Sequence, residues 1–352
     1  MVPLVRTFHN SLQFLALFCL CLASPPSAAE QQEAVMLEGA GAGFPAFMHT
    51  QSLDLFSKAN PNISISYSQV GSARGAYEFV NGNTDFAITS APFHFVGSGK
   101  TDNRFLEVPV AATSIAVVYN LKDVGNLKLS RDALAGIFDG SIVNWSDPVI
   151  LRDNQGAALP DLPIEIIARG IGSGSTFAFT NHIKEYSAVW RKIGASMDIA
   201  ALLPANARYV SSNYELVKSI GEDIGSIGFV PVAYSITNGT QVALLQNKSG
   251  EYVAPTVRAT QKALSHLKVV PPPELNLLLI DPEGPEAYPI VTFYWLFIDK
   301  HYKNTKKAAA VRALATFMLE GLPKKTALAL GYVSLPKAVR LDAVNLLKSD
   351  EK

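Results

Sequence analysis

Short apolar runs alternate along this chain with segments whose apolar positions recur every three to four residues. That is the pattern of strands interleaved with amphipathic helices, an α/β chain. Apolar runs at 35–38, 63–68 and 85–89 predict strands, and helical spacing covers 44–58 and the stretch from Ser72, read as its cap, to about Asn81. In the middle, 130–138, 173–186 and 213–220 carry helical spacing, while 164–168 and 226–230 read as strands. Two runs are longer, 108–119 and 291–298, and each predicts a strand buried on both faces. They bracket the middle of the chain, so it is expected to leave a first lobe, build a second and return. An amphipathic helix over 305–320, a stop at Gly321 and another short helix follow. Residues 246–289 are rich in proline and polar groups, with breakers at Pro271-Pro-Pro273 and Asp281-Pro-Glu-Gly-Pro285, and are expected to elaborate the second lobe.

The first 29 residues stand apart from this pattern. Arg6 is followed by the apolar stretch 12–23 and the small residues Ser27-Ala-Ala29, which predicts a cleaved signal peptide and a secreted or periplasmic protein. The apolar stretch is shorter than the roughly 20 residues that span a bilayer, so no membrane insertion is expected. Both cysteines, Cys19 and Cys21, lie in the leader and outside a lipoprotein-type box, which leaves the mature chain without thiol chemistry. Loss of the leader removes one of 30 basic residues and none of 30 acidic ones, a formal charge of −1. A neutral chain has no basic excess with which to displace counterions, which argues against nucleic acid as a partner. About 320 mature residues exceed the usual single core, so two lobes are expected. N-x-S/T sequons at Asn62, Asn144, Asn238 and Asn247 are compatible with a eukaryotic secretory route.

Candidate chemistry concentrates in Arg169-Gly-Ile-Gly-Ser-Gly-Ser-Thr-Phe177, where a strand ends in an arginine and a glycine-serine loop opens a helix. Such a loop presents free backbone N–H groups, the helix dipole adds positive potential, and the guanidinium adds a fixed fork of donors. Gly39-Ala-Gly-Ala-Gly-Phe-Pro45 and Gly71-Ser-Ala-Arg-Gly75 repeat the arrangement after earlier strands. Three anion-accepting turns with little acid–base machinery point to capture of an anion rather than to chemistry on it. Gly41, Gly43 and Ala46 have the G-x-G-x-x-A spacing of a dinucleotide fingerprint, but the second strand, 63–68, ends without the carboxylate that would hold a ribose. Gly99-Lys100-Thr101 has the end of a P-loop but His94 at its upstream glycine position. No serine is flanked as in a nucleophile elbow, and His49, His94, His182, His266 and His301 lack ligand spacing, so neither enzyme, metal nor cofactor is expected. Arg74 reads equally as a solvated helix charge or a pocket group.

These loops together resemble the periplasmic phosphate-binding proteins, the substrate-binding components of phosphate ABC transporters. The resemblance also runs through Thr84-Asp-Phe-Ala-Ile-Thr-Ser-Ala-Pro92, Gly136-Ile-Phe-Asp-Gly-Ser-Ile-Val-Asn-Trp145, Gly225-Ser-Ile-Gly-Phe229, Tyr288-Pro-Ile290 and Gly331-Tyr-Val-Ser-Leu-Pro336. It implies a two-lobed, type II periplasmic-binding-protein-like fold with its cleft between lobes joined by crossing strands. Lobe one would hold 30–109 and 290–352, lobe two 110–289. It implies a monomeric, non-enzymatic carrier of phosphate or a related tetrahedral oxyanion that closes by hinge motion and meets a membrane permease. The implied ligand positions are Gly43, Phe44 (amide), Ser72, Ser90, Arg169, Ser173, Gly174 (amide) and Ser175.

Three of its residues depart from that family. Gly43 replaces a threonine donor, Ser90 an aspartate that accepts the proton of hydrogen phosphate, and Ile171 an aspartate that braces the arginine. A carboxylate repels a fully deprotonated oxyanion, whereas a serine hydroxyl donates or accepts, so weakened discrimination of phosphate from sulfate is expected. The same departures support an alternative of another class, a secreted interaction module that has kept the fold and has weak or altered anion binding.

Overall fold

The structure, a computed structural model, describes residues 34–43, 46–96, 103–267, 279–320 and 331–349. The predicted leader and the Pro271-Pro-Pro273, Gly99-Lys100-Thr101 and Gly321 features lie outside the described residues, as does the short helix expected after Gly321. The chain begins with β1 (Val35–Gly41), α1 (Ala46–Ala59), β2 (Ile63–Ser68), α2 (Ser72–Val80), β3 (Phe86–Thr89), α3 (Phe93–Val96) and the long β4 (Phe105–Tyr119). Its middle carries β5 (Lys128–Leu129), α4 (Arg131–Asp139), α5 (Pro148–Asp153), β6 (Glu165–Arg169), α6 (Gly174–Ile183), α7 (Ala188–Ile193) and β7 (Arg208–Val210). There follow α8 (Asn213–Glu222), β8 (Ser226–Pro231), α9 (Val232–Asn238), β9 (Gln241–Val242), β10 (Leu244–Gln246), β11 (Tyr252–Val253) and α10 (Val257–Leu264). The return is β12 (Val291–Asp299), α11 (Thr305–Glu320), β13 (Tyr332–Val333) and α12 (Lys337–Ser349). Among these residues no helix is long and apolar enough to cross a membrane.

One curled sheet runs through the molecule in the order β2-β1-β3-β12-β4-β8-β6-β7. Its first three strands are parallel, as the intervening helices require. β4 is the strand shared by both lobes. From Phe105 to Ser114 it pairs antiparallel with β12, and from Ile115 to Tyr119 it pairs antiparallel with β8. The partner exchange therefore falls between Ser114 and Ile115. β4 also begins at Phe105, earlier than its apolar run suggested, because Phe105 and Leu106 pair with the end of β12.

Burial on both faces explains the unbroken apolar runs. Successive strand residues point to opposite faces, and in β4 Val117 and Tyr119 enter one core with Phe138, Phe179, Ile183 and Phe229. Their neighbour Val118 enters another with Ile167, Leu216, Val230 and Tyr234. Phe179 of α6 stacks on Phe229 of β8 with ring centroids 4.1 Å apart. In the first lobe Leu37, Ile88, Val108 and Leu296 pack with Phe79 of α2 and Val311 and Leu314 of α11.

Two polar clusters brace the second lobe. Asn247 is 1 % exposed, and its amide donates to the carbonyls of Gly284, Pro285 and Ala287 at 2.9–3.1 Å, fixing the Asp281–Pro285 turn. A sequon so committed is closed to modification in the folded chain, whereas Asn238 is exposed. Nearby, Arg131 donates to both Asp281 carboxylate oxygens at 2.6 and 2.5 Å, and its guanidinium lies 4.9 Å over the Tyr186 ring. His182 packs against them, 3 % exposed, with Nδ1 3.8 Å from Asp281 Oδ1. Burial first, and the Arg131 charge second, hold the His182 imidazole down to about 3.

His182 stays neutral in the fold and takes a proton in the unfolded chain near pH 6.5, so its contribution is complete above that pH. It is lost as pH falls from about 6.5 toward 3, at about 1.4 kcal/mol per unit. His182→Gln is expected to flatten the acid side of the stability profile, measured by urea unfolding between pH 7 and 5. Parallel wild-type and variant profiles would contradict this.

Candidate functional site

The ends of β1, β3 and β6 and the starts of α2 and α6 meet at one point of the sheet. α2 begins at Ser72 itself, and its N-cap is Gly71, whose φ of 89° is natural only for glycine. The expectation that Ser72 caps this helix is therefore corrected. No side chain caps α2, so the Ser72 hydroxyl is not spent on its own backbone. Ser72 Oγ instead accepts the Ser90 N–H at 3.1 Å and lies 3.3 Å from Ser90 Oγ. Since it already accepts there, its proton can point to Ser90 Oγ or outward. Both serines are buried, and Ser90 is anchored through its carbonyl, which accepts from Thr292 Oγ1 of β12 at 3.0 Å.

From the other lobe, β6 ends at Arg169 and α6 starts at Gly174 with Ser173 as its N-cap. Ser173 Oγ accepts the Thr176 N–H at 3.3 Å and lies 3.0 Å from Ser175 Oγ. The amides of Gly174 and Ser175 fall in the first turn, where a helix offers them no acceptor. The loop between is pinned from outside. Asp198 Oδ1 accepts from Gly172 N at 2.7 Å, and Met197 O accepts from Ser173 N at 3.1 Å.

The two loops touch. Ala73 N donates to Gly172 O at 3.2 Å, and a side chain at Gly71 would start 3.1 Å from Arg169 Nη2. Gly174 faces the serines so closely that a Cβ there would lie 2.0 Å from Ser90 Oγ and 2.7 Å from Ser72 Oγ. The structure thus brings Ser72, Ser90, Arg169, Ser173, Gly174 and Ser175 together. Gly43 lies at the same end of β1, next to Tyr234, and Phe44 is outside the described residues. Arg74 stands apart: it is exposed, paired with Glu78 one turn on and stacked over Tyr77, which makes it a solvated helix charge.

Arg169 dominates the electrostatics. Its Nε is buried without a hydrogen-bond partner, and among the described residues no carboxylate comes within ion-pair reach of it. Burial lowers its pKa, as expected for a cation deprived of water, and only the neighbouring Tyr234 opposes that. Ile171, where the resemblance implies a bracing aspartate, is 74 % exposed and adds nothing to the guanidinium.

Sequence reasoning missed two residues here. Asp198 steadies the loop from a stretch without a motif. Tyr234 is 5 % exposed on α9 and reads in sequence like any core aromatic. Burial pushes its phenol pKa up to about 12, with the Asn213 side chain and the Arg169 charge pulling the other way.

A family model described as a PBP superfamily domain matches residues 25–321. The phosphate-binding protein PstS of Methanocaldococcus jannaschii is 32% identical, with 92% of this chain and 90% of that protein covered. The PstS of Pasteurella multocida is 28% identical, with 87% and 88% covered. Among solved structures, the phosphate-binding protein of Stenotrophomonas maltophilia matches with a TM-score of 0.68 at 22% identity, covering 89% of this chain and 94% of that one. A high-affinity periplasmic phosphate-binding protein solved with bound phosphate matches at 0.66 and 19% identity, with 88% and 92% covered. At these identities the structural likeness establishes the two-lobed fold.

The contact at Gly174 yields a test of how the lobes meet. Gly174→Ala places a methyl where Ser90 Oγ stands, so the lobes are expected to part. Small-angle scattering should show a larger radius of gyration than wild type, with the unfolding midpoint little changed. An unchanged radius would contradict the contact.

Proposed function

This chain belongs to the PBP superfamily and, within it, to the phosphate-binding proteins, and from that membership we propose that it captures inorganic phosphate, or a tetrahedral oxyanion of the same build, between its lobes. The observation that carries the reading is Arg169, whose half-buried side chain has an orphaned Nε and, among the described residues, no acid to neutralise it. An uncompensated buried charge costs several kcal/mol, and a bound oxyanion removes that cost. Around it the hydroxyls of Ser72, Ser90, Ser173 and Ser175 and the amides of Gly174 and Phe44 would replace the ion's water. Donors fixed before the ion arrives hold it without reorganisation, and charge-assisted bonds are roughly twice as strong as neutral ones.

Release and capture follow from the shared strand. β4 exchanges partners between Ser114 and Ile115, so a small backbone rotation there and before β12 would open the cleft as a hinge. The lobes would comprise 30–109 with 290–352, and 110–289. The protein would act as a monomer outside the cytoplasm after loss of its leader, hand the ion to a membrane permease and catalyse nothing, since among the described residues no base is hydrogen-bonded to these serines.

Selectivity would rest on Ser90. Its hydroxyl suits a protonated or a bare oxyanion, because it donates or accepts as required. The carboxylate of Asp198 is exposed and engaged with Gly172 N–H on the outer side of the loop.

Phosphate at a hundred times its Kd is expected to stabilise the protein by about 2.7 kcal/mol in thermal unfolding. Arg169→Met should weaken binding about 100-fold by calorimetry, the worth of a charged hydrogen-bonded contact. Sulfate should bind within about a hundredfold of phosphate, since one mispaired buried group is worth about 1–3 kcal/mol. A thousandfold exclusion of sulfate would contradict the role given to Ser90. No shift with either anion would overturn the function.

A further inference from the structure

The space that a side chain at Gly43 would fill is held by a hydroxyl from the opposite lobe. A Cβ built on Gly43 would lie 3.0 Å from Tyr234 Oη and 3.3 Å from Gln69 Oε1. The first distance is tighter than side chains ordinarily tolerate, so a threonine there and a tyrosine hydroxyl here compete for one place. Tyr234 is fixed by its surroundings: it lies in the apolar cluster with Val118 and Val230, and its carbonyl accepts from the Asn238 side chain at 2.8 Å.

The proton of this phenol is well placed to donate. The Asn213 side chain and the Arg169 charge both favour negative charge at this oxygen, the sense in which donors act. Burial keeps the group protonated at neutral pH. Arg169 and Tyr234 feel each other's charge, so the phenol lies within electrostatic range of the guanidinium that would hold the anion.

We infer that the Tyr234 hydroxyl is a direct donor to the bound tetrahedral oxyanion, replacing the hydroxyl that Gly43 lacks. This rests on the anion-capture reading of the same site. Its consequence concerns which lobe holds the ion. Moving a donor from residue 43 to Tyr234 shifts it from the first lobe to the second, which already carries Arg169, Ser173, Gly174 and Ser175. The open protein would therefore load its ion on the second lobe, with Ser72 and Ser90 closing over it.

Four proteins test the assignment by calorimetry with inorganic phosphate: wild type, Tyr234→Phe, Gly43→Thr and the double variant. Tyr234→Phe is expected to weaken binding about tenfold or more, the share of one hydrogen bond to a charged ligand. Gly43→Thr alone should also weaken it, because the new side chain meets the phenol oxygen. The double variant, which trades one hydroxyl for the other, should return to within about threefold of wild type. That recovery separates a ligand role from a structural one, which a threonine at 43 would not repair. Tyr234→Phe binding as tightly as wild type, or a double variant no better than Tyr234→Phe, would overturn the inference while leaving phosphate capture intact. Wild-type protein that binds neither phosphate nor sulfate would overturn both.

Discussion

A single uncompensated cation organises this site. Arg169 ends a buried strand, its Nε has no protein partner among the described residues, and no described carboxylate reaches its guanidinium. Proteins seldom leave such a group alone, because the cost of withdrawing a full charge from water exceeds most single stabilising contacts. Everything around it is arranged to donate: serine hydroxyls from both lobes, first-turn amides of α6 and a neutral phenol. Such a site, with one fixed positive charge, many hydrogens and no acid among the described residues, would be completed by a compact anion.

The fold delivers these donors through the sheet. Parallel strands β1 and β3 end where α2 begins, and β6 ends where α6 begins, so the loops at their carboxyl ends converge on one volume. β4, buried almost throughout, belongs to both lobes and fixes their relation through its exchange from β12 to β8. Close approach is made possible by missing side chains. Gly174 lies against Ser90 and Ser72 at a distance that only hydrogen permits, and Gly43 leaves room for the hydroxyl of Tyr234.

Much of this was legible in the sequence because the central strands β4 and β12 are buried on both faces and the edge strand β2 on one. The strand at 63–68 and the helix at 305–320 lie where their patterns put them. The glycine-serine loop after Arg169 was readable because close backbone approach needs that composition. What depended on the third dimension was not readable. Ser72 resembles a helix cap, yet the positive φ of Gly71 starts the helix one residue earlier in role and releases the hydroxyl. Tyr234 sits among core residues whose pattern is apolar, and only its distance to residue 43, nearly two hundred positions away in sequence, marks it as polar in purpose. Asn247 looks like a glycan acceptor in sequence and is instead an internal clamp.

The most direct measurement is a crystal structure grown with phosphate near stoichiometry. The account expects the ion's oxygens within hydrogen-bond distance of the Arg169 guanidinium, the Ser72 hydroxyl and the Gly174 amide, with the lobes closed as here. Phosphate absent from that volume while Arg169 turns to solvent or takes a protein carboxylate would contradict it.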